Sequence, residues 1–229
     1  MFAVIIPTLN AQKGLPDLLE QLRGVAVVVT DGGSADGTLN AAAKAKARIA
    51  LGTPGRGTQL SRGVNWAHKV DGADWYFIVH ADCRLPCGWR QEITEHIQAY
   101  PSKAGYFAFG AEARGIRPRI MEFVVGLRDI WPLFPYGDQG LLISREMYEA
   151  VGGYPQQALF EDVEIIRAIK RLHGRTGLRR MKGRLYSDVS AYAREGYMKR
   201  CLRNLNIIKA YNKGVSIDDL IARYTAPAK

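Results

Sequence analysis

Trp75-Tyr76-Phe77-Ile78-Val79-His80-Ala81-Asp82 is an unbroken apolar run closed by His-Ala-Asp. A short run without polar alternation, rich in aromatic and β-branched residues, reads as a strand buried on both faces. Toward the N-terminus the same kind of run recurs as Ile49-Ala50-Leu51, Val25-Ala26-Val27-Val28-Val29 and Phe2-Ala3-Val4-Ile5-Ile6-Pro7. Between these runs lie Leu15, Leu18, Leu19 and Leu22 at helical spacing, the alanine-rich Ala41 to Ala47, and Gln59 to His68. The β-α-β-α-β-α-β alternation predicts an α/β, Rossmann-like fold with a mostly parallel sheet and helices on both faces. Such sheets bind ligands at the carboxyl ends of their strands.

Toward the C-terminus the pattern loosens. It predicts a helix over Trp89–Tyr100, a strand over Gly105–Ala113, a helix over Ile116–Trp131, a turn-rich stretch from Pro132 to Gly140, and a strand over Leu141–Ser144. A helix from Glu161 to Leu172 carries Glu161 and Asp162 in its first turn, where the helix dipole favours carboxylates. A chain of 229 residues, 47% hydrophobic and 24% charged, fits one large domain. We read it as a domain over 1–190 followed by a basic helical extension over 191–229 packed on it. No charged-then-apolar leader precedes Phe2 and no apolar stretch is long enough to span a bilayer, so a cytoplasmic protein is expected. Cys83, Cys87 and Cys201 are odd in number and lack paired spacing, so neither disulfides nor a zinc site is expected.

The net charge is +10, and residues 179–213 hold ten Lys or Arg against Asp188 and Glu195. Such a block is either a solvated face or an attractor of anionic lipid or phosphorylated ligands. Nucleic acid is not an expected partner, because the chain carries no recognisable binding motif. From Lys199 to Lys213, Leu202, Leu205 and Ile208 form an apolar stripe among Lys and Arg, which fits either a helix packed on the domain or peripheral contact with an anionic membrane.

Three acidic points carry chemistry: Asp31, Asp82 and the Glu161-Asp162 pair. Carboxylates at strand ends and a helix start point to a metal-assisted site for a phosphorylated ligand. Thr8, Asn10 and Asp31 end the first two strands and form a candidate pyrimidine pocket, although an Asp-Gly pair also serves as a turn. Gly55-Arg56-Gly57-Thr58-Gln59 would let backbone amides approach a phosphate that Arg56 pairs with. Read as extended chain, His80 and Asp82 point the same way and would hold a divalent cation, with the imidazole mildly favouring Mn²⁺ over Mg²⁺. Asp138 and Gln139, in a glycine-flanked loop, are candidates for sugar or acceptor hydroxyls or else a structural turn.

Taken together these residues resemble the inverting family 2 glycosyltransferases of GT-A fold, from residue 2 to about 172. Pro7-Thr8-Leu9-Asn10 resembles the family's opening nucleotide segment. Asp31-Gly-Gly33-Ser-Ala-Asp36-Gly-Thr38 is similar to its Asp-Asp-Gly-Ser-x-Asp-Gly-Thr, and His80-Ala81-Asp82 to its Asp-x-Asp. Gly152-Gly153-Tyr154-Pro155 followed by Glu161-Asp162 resembles the approach to its catalytic helix. The resemblance implies a nucleotide-sugar donor, with UDP as the expected nucleotide, bound by Pro7, Thr8, Asn10, Asp31, Gly33, Arg56, Gly57, Gln59 and Ala81. It further implies catalytic Glu161 and Asp162, with Asp162 the general base, and Mn²⁺ or Mg²⁺ on Asp82 with His80. Contacts to the sugar or a small-molecule or lipid-linked acceptor would come from Asp138, Gln139 and Gly140. A narrower likeness is to a small bacterial branch with His-Ala-Asp, Gly-Arg-Gly-x-Gln and Tyr-Gly-Asp-Gln-Gly, often labelled arsenosugar-biosynthesis glycosyltransferases. Ala11 and His80 depart from the wider family, which has Glu and Asp there. These departures leave a nucleotide-sugar-binding protein without turnover as a competing reading.

Overall fold

The computed structural model describes residues 1–130 and 134–225. Four strands, β1 (Phe2–Thr8), β2 (Ala26–Asp31), β3 (Arg48–Leu51) and β4 (Trp75–Ile78), alternate with α1 (Leu15–Gln21), α2 (Thr38–Lys44) and α3 (Arg56–Asp71), as the apolar runs predict. Then come β5 (Cys83–Arg84), α4 (Trp89–Ala99), β6 (Ala104–Ala111), α5 (Ile116–Ile130), β7 (Leu141–Ser144), α6 (Arg145–Ala150) and α7 (Glu161–His173). The chain continues through β8 (Leu178–Ser187), α8 (Ser190–Glu195), α9 (Tyr197–Asn212) and α10 (Ile217–Thr225). Trp131, expected to end α5, and the Pro132-Leu133 start of the turn-rich stretch lie outside the described residues.

The eight strands form one sheet in the order β3-β2-β1-β4-β7-β6-β8-β5. The half built from β3, β2, β1 and β4 is parallel throughout, whereas β7 runs antiparallel to both β4 and β6. Period-two alternation divides β1 between two cores. Ala3 and Ile5 join Leu60 and Val64 of α3 and Ile165, Ile166 and Ile169 of α7, whereas Val4 and Ile6 join Leu15 and Leu18 of α1, Ala42 of α2 and Ile93 of α4. Helices therefore cover both faces, and the ends of β1 and β2 open on one edge. A third cluster seats Met121 and Val125 of α5 on Phe109 and Ala111 of β6 and on Val189.

Two stretches differ from the sequence expectation. The first quarter of the basic block is β8, whose buried Leu178, Met181 and Leu185 are separated by exposed Arg and Lys. A register shift between Tyr106 and Ala108 breaks its alternation, so period two is hidden. Its cations meet carboxylates of α5, Arg180 with Asp129 and Arg184 with Glu122, and Arg179 lies over the Tyr100 ring. The Leu202-Leu205-Ile208 stripe of α9 is turned partly outward: Leu202 and Leu205 are exposed, while Ile207 is buried.

Candidate active site

The β1 and β2 ends are laced together. Asp31 is fully buried; its Oδ2 accepts Thr8 Oγ1 at 2.8 Å and Ser34 Oγ at 2.6 Å, and its Oδ1 accepts the amides of Gly33 and Ser34 at 2.9 and 2.7 Å. A carboxylate offers about four acceptor positions, and here all are taken by the chain itself. Burial pushes the Asp31 carboxyl up, but the bonds from Ser34, Thr8 and Gly33 outweigh it and hold its pKa below the ordinary range. In this arrangement the side chain is a latch that fixes Thr8 and the 33–34 backbone, and a base imide would meet it only by displacing one of these donors. Asn10, at φ 52°, accepts the Ala35 amide through Oδ1, and its own amide donates to Ser34 Oγ. Gln12 is tied likewise to Asp36 and Gly37. The edge that carries Pro7, Thr8 and Asn10 is thus a preformed ledge, with Gly33 open at φ 98° and no atom where a Cβ would sit.

The expectation for Gly55-Arg56-Gly57-Thr58-Gln59 is corrected at Gly57 and Gln59. The segment is the N-cap and first turn of α3. A Cβ at Gly57 would lie 1.9 Å from Pro155 O, and the Gly57 amide donates to Gln157 O at 3.0 Å, so this glycine admits the 155–157 backbone and not a phosphate. Gln59 is buried and spends its Nε2 on Thr8 O and Thr30 O at 2.8 and 2.9 Å, pinning β1 to β2 instead of facing a ligand. Arg56 alone of this motif turns into the site.

Arg56 is where the separate motifs meet. Its Nε lies 2.8 Å from Glu161 Oε1, and its Nη2 donates to His80 Nε2. Burial works against its charge, and Glu161, Asp162, Tyr224 and Asp82 together overcome that. The same surroundings set the two partners. Burial pushes Glu161 up to about 7 against the pull of Arg56, and burial with the adjacent guanidinium holds His80 far below its ordinary value, as a neutral acceptor. His80 is also the first residue of a turn closed by Cys83 N to His80 O at 3.2 Å. The extended reading of His80-Ala81-Asp82 is therefore corrected: Ala81 is buried beside Gly14, Asp82 is exposed, and the His80 lone pair belongs to Arg56.

Asp162 sits in the first turn of α7, where its Oδ1 accepts Val163 N at 2.8 Å and its Oδ2 accepts Gly137 N at 2.9 Å. The helix is entered through Phe160 at φ 65°, a left-handed conformation unusual for an aromatic residue. Its ring stacks on Tyr211 of α9 at 4.5 Å, and Tyr211 donates to Glu164 Oε1 at 2.9 Å, so the C-terminal helices hold the entry to α7. Sequence reading had no signal for this contact. A cavity lined by His80, Tyr136, Gly137, Glu161 and Asp162 over Leu60, Ile78 and Ile166 joins these groups.

Of the 136–140 loop, Gln139 is fully buried and bonded to Arg128, Asp129 and Phe107 O, and Gly140, at φ 66°, leads into β7 against Phe77. Both residues hold the loop in place. Asp138 differs: its Oδ1 is buried without a hydrogen-bond partner. Burial, with Asp162, Asp129 and Asp82 in range and only Arg128 opposing, pushes its pKa up to about 6. A raised carboxyl contributes stability below its unfolded pKa that is lost as pH rises through 6. Asp138→Asn should therefore raise stability by about 1–3 kcal/mol at pH 8 and by little at pH 4, which thermal unfolding at the two pH values checks.

Among the described residues, no three His, Cys, Asp or Glu side chains form a set able to enclose a metal ion. Burial pushes the Asp82 carboxyl up, with Asp188 and Glu112 adding to the rise and Arg56 opposing it. A single carboxylate with open space beside it fits a hard cation that takes its remaining ligands from a diphosphate and water. Asp188 follows β8, so its nearness to Asp82 was hidden with that strand.

Many solved structures share this fold. Glucosyl-3-phosphoglycerate synthase from Mycobacterium tuberculosis in complex with UDP matches at TM-score 0.59 and 16% identity, over 79% of this chain and 69% of that one. The same enzyme with Mn²⁺, UDP-glucose and phosphoglyceric acid matches at TM-score 0.59 and 18% identity, over 82% and 71%. A crystal structure described as a mycobacterial protein matches at TM-score 0.57 and 16% identity, over 82% and 65%. No curated protein matches. The family model described as glycosyl transferase family 2 matches residues 3–152, from β1 through β7 and α6. With more than half its length matched by that model and its fold shared with those enzymes, the chain belongs to glycosyl transferase family 2.

Proposed function

We propose that the chain is an inverting glycosyltransferase that moves a sugar from a UDP-sugar to a hydroxyl acceptor. The observation that carries this reading is the convergence on Arg56: the adjacent Glu161 and Asp162 of α7, and Asp82 from a second distant segment, share the field of one guanidinium, whose Nε lies 2.8 Å from Glu161. The nucleotide would lie on the ledge formed by Pro7, Thr8, Asn10 and Gly33, with its diphosphate directed toward Arg56 and Asp82. Asp162 would take the acceptor proton as the hydroxyl attacks the anomeric carbon opposite the leaving diphosphate. Glu161, held by Arg56, would position that arginine to neutralise charge on the leaving group. Asp82 would hold Mn²⁺ or Mg²⁺, which supplies further electrostatic stabilisation of the diphosphate. The buried, unpartnered Asp138 Oδ1 is suited to a sugar or acceptor hydroxyl. The structures bound to UDP-glucose, Mn²⁺ and phosphoglyceric acid support donor and cation by analogy of fold.

The narrower likeness to the small His-Ala-Asp branch is part of the proposal. Its three motifs abut here: Arg56 contacts His80, a Cβ at Gly137 would lie 2.5 Å from His80 Nε2, and Gly137 donates to Asp162. Incubation with a panel of UDP-sugars and Mn²⁺ tests the reading through release of UDP. Slow release from at least one donor, by hydrolysis in the absence of acceptor, is the expected result. The same protein binding UDP-sugars without any release would favour the non-catalytic alternative.

A further inference from the structure

The outer face of α5 is unlike any other helix surface of the described residues. Ile116, Ile120, Phe123, Val124, Leu127 and Ile130 are between 49% and 77% exposed. At 3.6 residues per turn they fall in a sector roughly 120° wide that runs the length of the helix. Soluble proteins rarely leave so continuous an apolar stripe in water. The charges around it have one sign. Arg117 borders the stripe and Arg114 precedes it, both exposed, while Arg119 on the opposite border pairs with Glu122 at 2.5 and 2.6 Å; both carboxylates of the helix, Glu122 and Asp129, are buried. A second copy packed stripe to stripe would offer these arginines no exposed carboxylate of its own α5, since Glu122 and Asp129 are buried. An anionic lipid surface satisfies both features at once, since the apolar face enters the acyl boundary while the arginines meet headgroups.

We propose that α5 is an interfacial helix that docks the protein on an anionic membrane. The last turn of α5 is coupled to the site: Arg128 lies 3.9 Å from the centre of the Tyr136 ring and donates to Gln139 at 2.8 Å, and the same loop's Gly137 donates to Asp162. Docking would therefore hold the 136–140 loop beside the bilayer surface. The basic α9, which the sequence singled out for membrane contact, is the natural control.

Sedimentation with phosphatidylcholine vesicles, with and without about one third phosphatidylglycerol, tests the assignment. The full chain should bind the anionic vesicles and release progressively with salt. Phe123→Glu with Leu127→Glu should weaken binding at least about tenfold, Arg117→Glu by roughly tenfold at low salt, and Leu202→Glu on α9 far less. All these positions are exposed, and circular dichroism confirms that each variant is folded. Absence of binding by the parent, or parent-like binding by the folded Phe123→Glu, Leu127→Glu variant, overturns the proposal. So does a parent dimer that this variant dissolves without any lipid binding, which would give the face to a second copy. UDP binding measured on the same variants reports the donor reading separately, because docking does not rest on it.

Discussion

Asp162→Asn should lower sugar transfer by on the order of 10²- to 10⁴-fold while leaving UDP binding nearly unchanged. The amide is isosteric and retains one acceptor oxygen, so it can keep either the Gly137 or the Val163 amide bond, and only about 1 kcal/mol of stability is at stake. What it cannot do is take a proton. Steady-state rates and calorimetric UDP affinities on the same preparation separate the two effects. Unchanged transfer would remove Asp162 from the base role, and a parallel loss of UDP affinity would make it a binding residue.

Gly57→Ala should destabilise the fold by about 3 kcal/mol or more, a fall in Tm of roughly 6–12 °C for a chain of this size. The introduced Cβ would stand 1.9 Å from Pro155 O and 2.8 Å from Gln157 O, and backbone on both sides leaves no flexible side chain to move. The displaced 155–157 segment leads to Phe160 and the start of α7, so activity should fall with stability. Gly126→Ala is the matched comparison. It lies inside α5 with nothing near its Cβ position, and should stabilise by about 0.5–1 kcal/mol through helix propensity alone. Equal Tm values for the two variants would contradict the packing of α3 against that segment.

The first four strands were legible because each is buried on both faces, which leaves a continuous apolar signature. β8 was not, since Arg179, Arg180, Lys182 and Arg184 on its exposed positions outnumber its three buried apolar residues and a bulge breaks the alternation. With β8 unseen, Asp188 and its nearness to Asp82 had no signal, and the basic stretch read as one block. At the site, residue types were recognised more readily than their direction. Asp31, Gln59 and Gln139 stand in motifs that suggest ligand contact, yet each spends its polar atoms on neighbouring chain. A buried polar side chain must satisfy itself somewhere, and sequence spacing does not say whether its partner is backbone or ligand. Arg56 shows the converse: its ties to Glu161 and His80 depend on the first turn of α3 beginning at residue 56, three residues before the helical spacing becomes visible.

Calorimetric titration of UDP with Mn²⁺ present, and again with excess chelator, tests most directly whether the Arg56–Asp82 edge is a nucleotide-diphosphate site. Binding to the parent should need both Mn²⁺ and Asp82, so that chelation and Asp82→Ala each weaken it by at least about tenfold, in line with loss of a charge-assisted contact. Equal affinity in chelator and in Asp82→Ala would contradict the cation assignment, and no UDP binding under any of these conditions would contradict a nucleotide-diphosphate site at this edge.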